Sequence, residues 1–192
     1  MIAELVRRGR SVRRFRQAEA VPIETLEGLV ELARLAPSAG NKQPLKYALS
    51  CAPGMNTQIF ACLGWAAYLK DWPGPAEGER PAAYIVVLGD TALGASFDCD
   101  LGIAAQTIVL AAAEQGLGAC MIGSIDRGAL GRAIATGPGL KVLLVIALGR
   151  PGEEIVLETV GADGDVRYWR DARGVHHVPK RRLQEVVAAA FP

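Results

Sequence analysis

A chain of 192 residues, 51% hydrophobic and 21% charged, has the size and composition of one folded domain, not of a disordered segment or a disulfide-stapled miniprotein. Its net charge of +1 argues against wholesale binding of a polyanion. No unbroken run of about 18 apolar residues is present, and Met1 to Arg16 lacks the apolar core and small-residue cleavage site of a secretory signal, so a cytoplasmic protein without a transmembrane helix is expected.

In chain order, Ile2 to Arg8 predicts a short helix, followed by an arginine-rich connector. The next helix starts at Pro22, a first-turn residue, and carries an apolar stripe of Leu26, Leu29, Val30 and Ala33. Its acids Glu24, Glu27 and Glu31 lie in the earlier turns, where the helix dipole favours them, and it stops at Pro37. Ser38 to Pro44 has the composition of a loop. Tyr47 to Cys51 reads as a strand, Asn56 to Gly64 as a helix, and Lys70 to Pro81, rich in proline and glycine, as an irregular loop. The near-continuous apolar run from Ala83 to Leu88 is the mark of a buried strand.

Asp100 to Gln115 is the strongest helical pattern, with Ile103, Ala104, Thr107, Ile108, Ala111 and Ala112 on one face and Gly116 and Gly118 beyond its end. A short strand at Cys120 to Ile122, a helix at Arg127 to Ala135 and a second buried strand at Val142 to Leu148 follow. After Gly149, two strands, Ile155 to Val160 and Val166 to Trp169, are expected to form a hairpin through Ala162-Asp163-Gly164-Asp165. Asp171 to Gly174 is another turn, and Leu183 to Ala190 a terminal helix. No repeat or linker divides the chain, so residues 1–192 are expected to form a single α+β domain.

The four cysteines have no C-x-x-C spacing, and the adjacent His176 and His177 would point to opposite faces of a strand, so no metal site is expected. The cysteines read as small, mostly buried hydrophobes of a reducing compartment. Arginine supplies 16 of the 21 basic residues, six of them between Arg7 and Arg16, and a second basic knot is Lys180, Arg181 and Arg182. In Arg10-Ser11-Val12-Arg13-Arg14-Phe15, an extended backbone would turn Ser11, Arg13 and Phe15 to one side. A hydroxyl and a guanidinium there suit a phosphate or a planar electron-rich heterocycle; a solvated face, or pairing with the glutamates of the next helix, explains them equally well. Pro37-Ser38-Ala39-Gly40-Asn41-Lys42-Gln43-Pro44 offers short-range donors and acceptors, or is simply a polar turn. Phosphate-loop and nucleophile-elbow patterns are absent, and Gly116-x-Gly118 follows a helix instead of opening one, so a dinucleotide fingerprint is not supported.

Taken together, these two segments resemble the nitroreductase family of flavin enzymes. Such chains open with an Arg-Ser-x-Arg-x-Phe-type segment and continue with an Ala-Pro-Ser-x-x-Asn-x-Gln-Pro loop, which Ala36 to Pro44 matches at every motif position. Gly116-Leu117-Gly118 and Cys120-Met121-Ile122-Gly123 resemble the family's Gly-Leu-Gly segment and flavin-facing strand, and Lys180-x-Arg182-Leu183 its basic C-terminal clamp. Leu45 to Pro81 is the least recognisable part, and Gly9 stands where family members often carry a further arginine.

The resemblance implies a nitroreductase-like α+β fold, a central, mostly antiparallel sheet surrounded by helices in an intertwined homodimer with FMN at the interface. It implies that Arg10 and Ser11 reach the FMN phosphate and ribityl chain and that Arg13 approaches the pyrimidine edge. Pro37, Ser38, Ala39, Asn41 and Gln43 would come from the partner subunit; Met121, Ile122 and Gly123 would lie along the ring; Lys180 and Arg182 would close on the phosphate. No side chain would act as a catalytic nucleophile, because the cofactor carries the chemistry. The implied activity is ping-pong hydride transfer from NADH or NADPH through FMN N5 to a small acceptor such as a nitroaromatic or quinone. Trp65, Tyr68 and Trp72 are candidates for a substrate lid or for plain packing. Rival readings are a flavin enzyme of different chemistry on the same scaffold (flavin reduction, enone reduction, reductive dehalogenation) and an FMN-binding or redox-sensing protein without turnover. A nucleic-acid binder using Arg7 to Arg16 is disfavoured by the small net charge and the few interleaved aromatics, and a membrane partner is not expected.

Overall fold

A computed structural model describes residues 1–192. Its centre is a four-stranded antiparallel sheet, β1 (Leu45–Ser50), β2 (Ala83–Asp90), β3 (Gly118–Ile122) and β4 (Leu140–Gly149), in the order β1-β2-β4-β3. The two central strands are apolar at nearly every position because both faces are covered. Alternation sends Ala83, Ile85 and Val87 to one face and Tyr84, Val86 and Leu88 to the other; Ile146 and Leu148 oppose Val145 and Ala147 in the same way.

On the first face lie α2 (Ile23–Arg34) and α4 (Asp98–Glu114). Leu26, Leu29 and Ala33 of α2 meet Ala104, Ala105, Ile108 and Ala112 of α4 over the sheet. The alanines of α4 let the helices approach closely, and Gly116, with φ of 71°, ends that helix in a left-handed turn. A short α1 (Ile2–Arg8) packs against α4. The other face carries α3 (Pro53–Ala61) and α5 (Arg127–Ala133), which contribute Ile59 and Leu130 to the second core.

The arginine-rich connector runs along the open edge of β3. Val12 N–H donates to Ala119 O at 3.0 Å, and Phe15 forms an isolated antiparallel bridge with Pro151. Only Ser11 and Arg13 of the expected trio share a side; Phe15 is buried with Val12 in the second core. At Arg13 and Arg14 two successive backbone N–H groups both donate to the Glu153 carboxylate, which a regular strand, with its N–H groups on alternate sides, would not allow, so the simple alternation is broken.

The C-terminal part is a three-stranded ribbon of β5 (Ile155–Thr159), β6 (Trp169–Arg170) and β7 (His176–Lys180), ordered β5-β7-β6. The expected hairpin between 155–160 and 166–169 does not form. Residues 161–165 do turn, with Gly164 at φ 71°, but Asp165 then binds Arg167 and the chain leaves the sheet until Trp169. The place beside β5 goes to β7, in parallel register. The hairpin forms one step later, between β6 and β7, where Asp171 Oδ1 accepts the N–H groups of Arg173 and Val175 and Gly174 sits at φ 83°. The terminal helix is also shorter than expected: α6 is one turn, Leu183–Val186. Of the cysteines, only Cys120 is buried; Cys51 and Cys62 are half-buried and Cys99 is exposed, so the expectation of a mostly buried set is corrected.

Gly118 marks the closest approach of the connector to the sheet. A Cβ built there stands 2.8 Å from Val12 Cβ. Gly118→Ala is expected to cost about 1–3 kcal/mol through overpacking. Adding Val12→Ala should recover part of that loss, giving coupled effects in urea denaturation.

Candidate functional site

The open edge of β3 forms the floor of a trough. Because Ala119 O accepts from Val12, strand alternation turns the N–H and C=O of Met121 toward the same open edge. Beyond the connector this edge has no neighbouring strand. Two cavities lie along it, of about 310 and 300 Å3, and they share Arg13, Met121 and Tyr168.

The first cavity is cationic. Arg10, Ser11 and Arg13 enter from the connector, Gln106 from α4, and Tyr168, His176 and Lys180 from the C-terminal ribbon. Three cations line it and no carboxylate does. Among its lining residues, Arg10 Nε and His176 Nδ1 are buried without a hydrogen-bond partner. The Arg10 guanidinium is tethered only through its Nη2 to Val6 O, at 2.7 Å. The second cavity is mostly apolar: Cys120, Met121, Ile122 and Gly123 form its floor, Gly64 to Ala67 one wall, and Arg13 supplies its charge. Cys120 is fully buried, and burial pushes its thiol up to about 11, so it is a neutral packing group.

Arg13 is the hinge between the cavities. Its guanidinium lies 4.5 Å from the centre of the Tyr168 ring, and Nη1 is 3.1 Å from His176 Nε2. Burial, reinforced by Arg13, Arg170 and His177, pushes His176 down to about 4, so the ring is neutral near pH 7. With Arg13 donating to Nε2, the ring proton resides on the partnerless Nδ1. Behind Arg13, the Glu153 side chain is 1% exposed; it accepts the Arg13 and Arg14 N–H groups and pairs with Arg170 at 2.8 Å.

The sequence-derived residues fall into two groups. Arg10, Ser11, Arg13, Met121 and Lys180 line the first cavity, and Ile122 and Gly123 the second. Arg182 stands apart at the exposed start of α6. Pro37, Ser38 and Gln43 line a separate cavity of about 190 Å3, and Ala39 and Asn41 are exposed. Gly40, Asn41 and Gln43 in this loop all have φ near 50–58°. The loop is held by Asp100, in the first turn of α4, which accepts Ala39 N–H at 2.7 Å, and by Ser38 Oγ, which accepts Gln43 N–H at 3.0 Å. One protomer therefore does not bring the two motif segments to one cavity.

Gly9 also has a structural reason: a Cβ there stands 3.1 Å from Leu5 O and 3.2 Å from Val109, so a longer side chain would press into α4. Of the three lid candidates, Trp65 packs with Phe60 and Trp72 and lines the second cavity, and Tyr68 meets the trough through Tyr168, its ring tilted at 4.9 Å from that one. Glu153, Tyr168 and His176 carry no local sequence signal; His176 arrives through the β5–β7 pairing, Tyr168 ahead of β6 through the β6–β7 pairing, and Glu153 just ahead of β5.

Comparison with known proteins agrees with the fold. The sequence model of the Nitroreductase family matches residues 6–53 and 77–150. No curated protein matches the chain. A structure from Desulfovibrio desulfuricans, assigned as a nitroreductase and solved in complex with FMN, aligns with a TM-score of 0.71 at 25% identity over 100% of this chain and 98% of that one. An FMN-dependent nitroreductase from Clostridium difficile aligns at 0.66 with 23% identity over 80% and 89%. A protein from Clostridium acetobutylicum assigned as an NADH oxidase aligns at 0.61 with 24% identity over 77% and 87%.

The site makes a pH prediction. His176 titrates below its ordinary value of 6.5 only in the folded chain, so the unfolded chain takes up the proton first as pH falls. Its contribution is complete above pH 6.5 and is lost as pH falls toward 4. Urea midpoints of the wild type should therefore drop more steeply across that window than those of His176→Gln. Separately, Glu153→Ala, which leaves Arg170 buried without its partner, should cost about 3–5 kcal/mol by urea denaturation at pH 7.

Proposed function

The chain belongs to the nitroreductase family, and on that premise we propose an FMN-dependent oxidoreductase that takes reducing equivalents from NADH or NADPH and passes them to a small acceptor, such as a nitroaromatic or quinone. The observation that carries this reading is the trough itself: a cavity with three cations and no acid, continuous at Arg13 with an apolar slot over a free strand edge. A phosphate dianion suits the first part and a planar ring the second. The partnerless Arg10 Nε and His176 Nδ1 are donors awaiting acceptors, which supports the fit.

In this reading Arg10, Ser11 and Lys180 hold the phosphate end. Arg13 places a fixed cation at the pyrimidine edge, which favours the electron-rich form of the bound ring and raises its reduction potential. The Met121 N–H donates along the ring, and Ile122 and Gly123 provide a flat floor. Neutral His176 supports the Arg13 guanidinium without adding repulsion. The chemistry FMN supplies when bound is reversible two-electron storage, so that donor and acceptor can use the same slot in turn. The chain contributes orientation, charge and exclusion of water.

The Pro37–Gln43 loop, with Asn41 at its exposed tip, serves the trough of the partner subunit in a homodimer. The exposed apolar residues Ile2, Val6, Leu183 and Phe191 supply surface for such an association.

Arg13→Ala and Asn41→Ala are each expected to weaken FMN binding about tenfold or more, as measured by fluorescence titration. Mixed dimers of the two variants separate the arrangements. If the loop serves the partner, one site carries both substitutions and the other neither, and half of the sites bind FMN with wild-type affinity. A mixed dimer without any wild-type site contradicts loop exchange.

A further inference from the structure

A third cavity, of about 300 Å3, lies beside the cationic one and takes no part in the flavin site described above. The two share Arg10. They are also one turn apart along α4: Val109 lines the first and Ala113, four residues on, lines the third, a rise of about 6 Å. Arg7 and Arg8 come to the third cavity from the last turn of α1. At Gly9 the chain turns tightly, with Gly9 N–H donating to Leu5 O and Arg10 N–H to Arg8 O, both at 2.7 Å, so that Arg8 and Arg10 line one space.

The charge there is unbalanced. Arg7, Arg8 and Arg10 meet no carboxylate, whereas Arg14, Arg16, Arg80 and Arg150 are each paired with one. The one acid of the cavity, Glu153, is enclosed, and its oxygens are taken by the Arg13 and Arg14 N–H groups and by Arg170. Arg8 is steadied by donating from Nη2 to Ala113 O at 2.8 Å, and Arg10 Nε is buried without a partner. Val12, Leu117 and Ile155 make part of the lining apolar. Arginines beside an apolar surface suit a second phosphate that carries a flat base. A flavin mononucleotide has no such group. A flavin dinucleotide does, because its second phosphate follows the first directly and an adenosine lies beyond. FAD spreads its two negative charges over two phosphates, and so is best met by cations at both places.

We propose that the third cavity is a second phosphate site, joined to the first at Arg10, and that the chain accepts FAD as well as FMN, with Arg7 and Arg8 holding the adenylate phosphate. This rests on the flavin reading above.

The test is equilibrium dialysis of the flavin-free full chain against FMN and, separately, against FAD. The wild type is expected to bind FAD at least as tightly as FMN. The double variant Arg7→Gln, Arg8→Gln should bind FAD about tenfold or more weakly while its FMN affinity stays at the wild-type value. Arg7→Glu leaves the tie from Arg8 to α4 in place, so it keeps the test open if the double variant fails to fold; it too should weaken FAD and spare FMN. A wild type that binds FMN but binds FAD far more weakly overturns the proposal. So does an unchanged FAD affinity in the variants, which makes Arg7 and Arg8 a solvated face. A parallel loss of both flavins overturns it as well, because it assigns these arginines to the FMN phosphate. Binding of neither flavin by the wild type is the separate result in which the flavin reading itself fails, and the proposal with it.

Discussion

Everything at this site depends on one buried carboxylate. Glu153 follows the last central strand and is almost completely enclosed. Burying a carboxylate costs several kcal/mol unless its oxygens are fully used. Here they are: two successive backbone N–H groups, those of Arg13 and Arg14, share one oxygen, and Arg170 takes the other. The N-terminal arginine segment is thereby tied to the C-terminal ribbon across 140 residues of sequence. Arg13 is aimed into the trough because its own backbone is fixed from behind, and Tyr168 and His176 meet it because Arg170 fixes the ribbon from the other side.

The sheet makes this arrangement possible. Its central strands are covered on both faces, so the free edges are those of the outer strands β1 and β3, and the connector meets the edge of β3. An edge strand with unpaired backbone donors is a hazard in most proteins. Here the connector covers one end of it, at Ala119, and leaves Met121 to Gly123 open, Met121 to both cavities and Ile122 and Gly123 to the apolar one. The uneven distribution of arginine in a nearly neutral chain becomes intelligible on this geometry. The cations are needed at one place, and acids elsewhere balance them: Glu79 with Arg14, Glu19 with Arg16 and Glu77 with Arg80.

Much of this was legible in the residues. The strands at 83–90 and 140–149 announce themselves as apolar runs, and α4 by its alanine-rich face. The Arg10-Ser11-x-Arg13 segment and the Pro37–Pro44 loop stand out by composition. Three things were hidden. Phe15 turned inward because two backbone N–H groups converge on a distant acid, which no local pattern records. The turn at 161–165 is sound, yet β7 outcompetes the neighbouring segment for the edge of β5, a choice made by tertiary packing. Tyr168 and His176 lie in an ordinary-looking tail, and only the pairing of that tail, β7 parallel to β5 and β6 antiparallel to β7, carries them to Arg13. The exposed loop that carries Asn41 lines a different cavity in its own protomer, a separation that no motif spacing discloses.

The central claim is that the cationic trough and the apolar slot hold one flavin whose ring is reduced by a nicotinamide. Its most direct test is the visible absorption spectrum of the purified protein after incubation with FMN and removal of the excess, recorded anaerobically before and after adding NADH and then NADPH. The account predicts a retained two-banded flavin spectrum that bleaches with at least one of the nucleotides and returns when a quinone is added. A colourless protein that retains no FMN would contradict it, and the cations around Arg13 would then belong to a different anion.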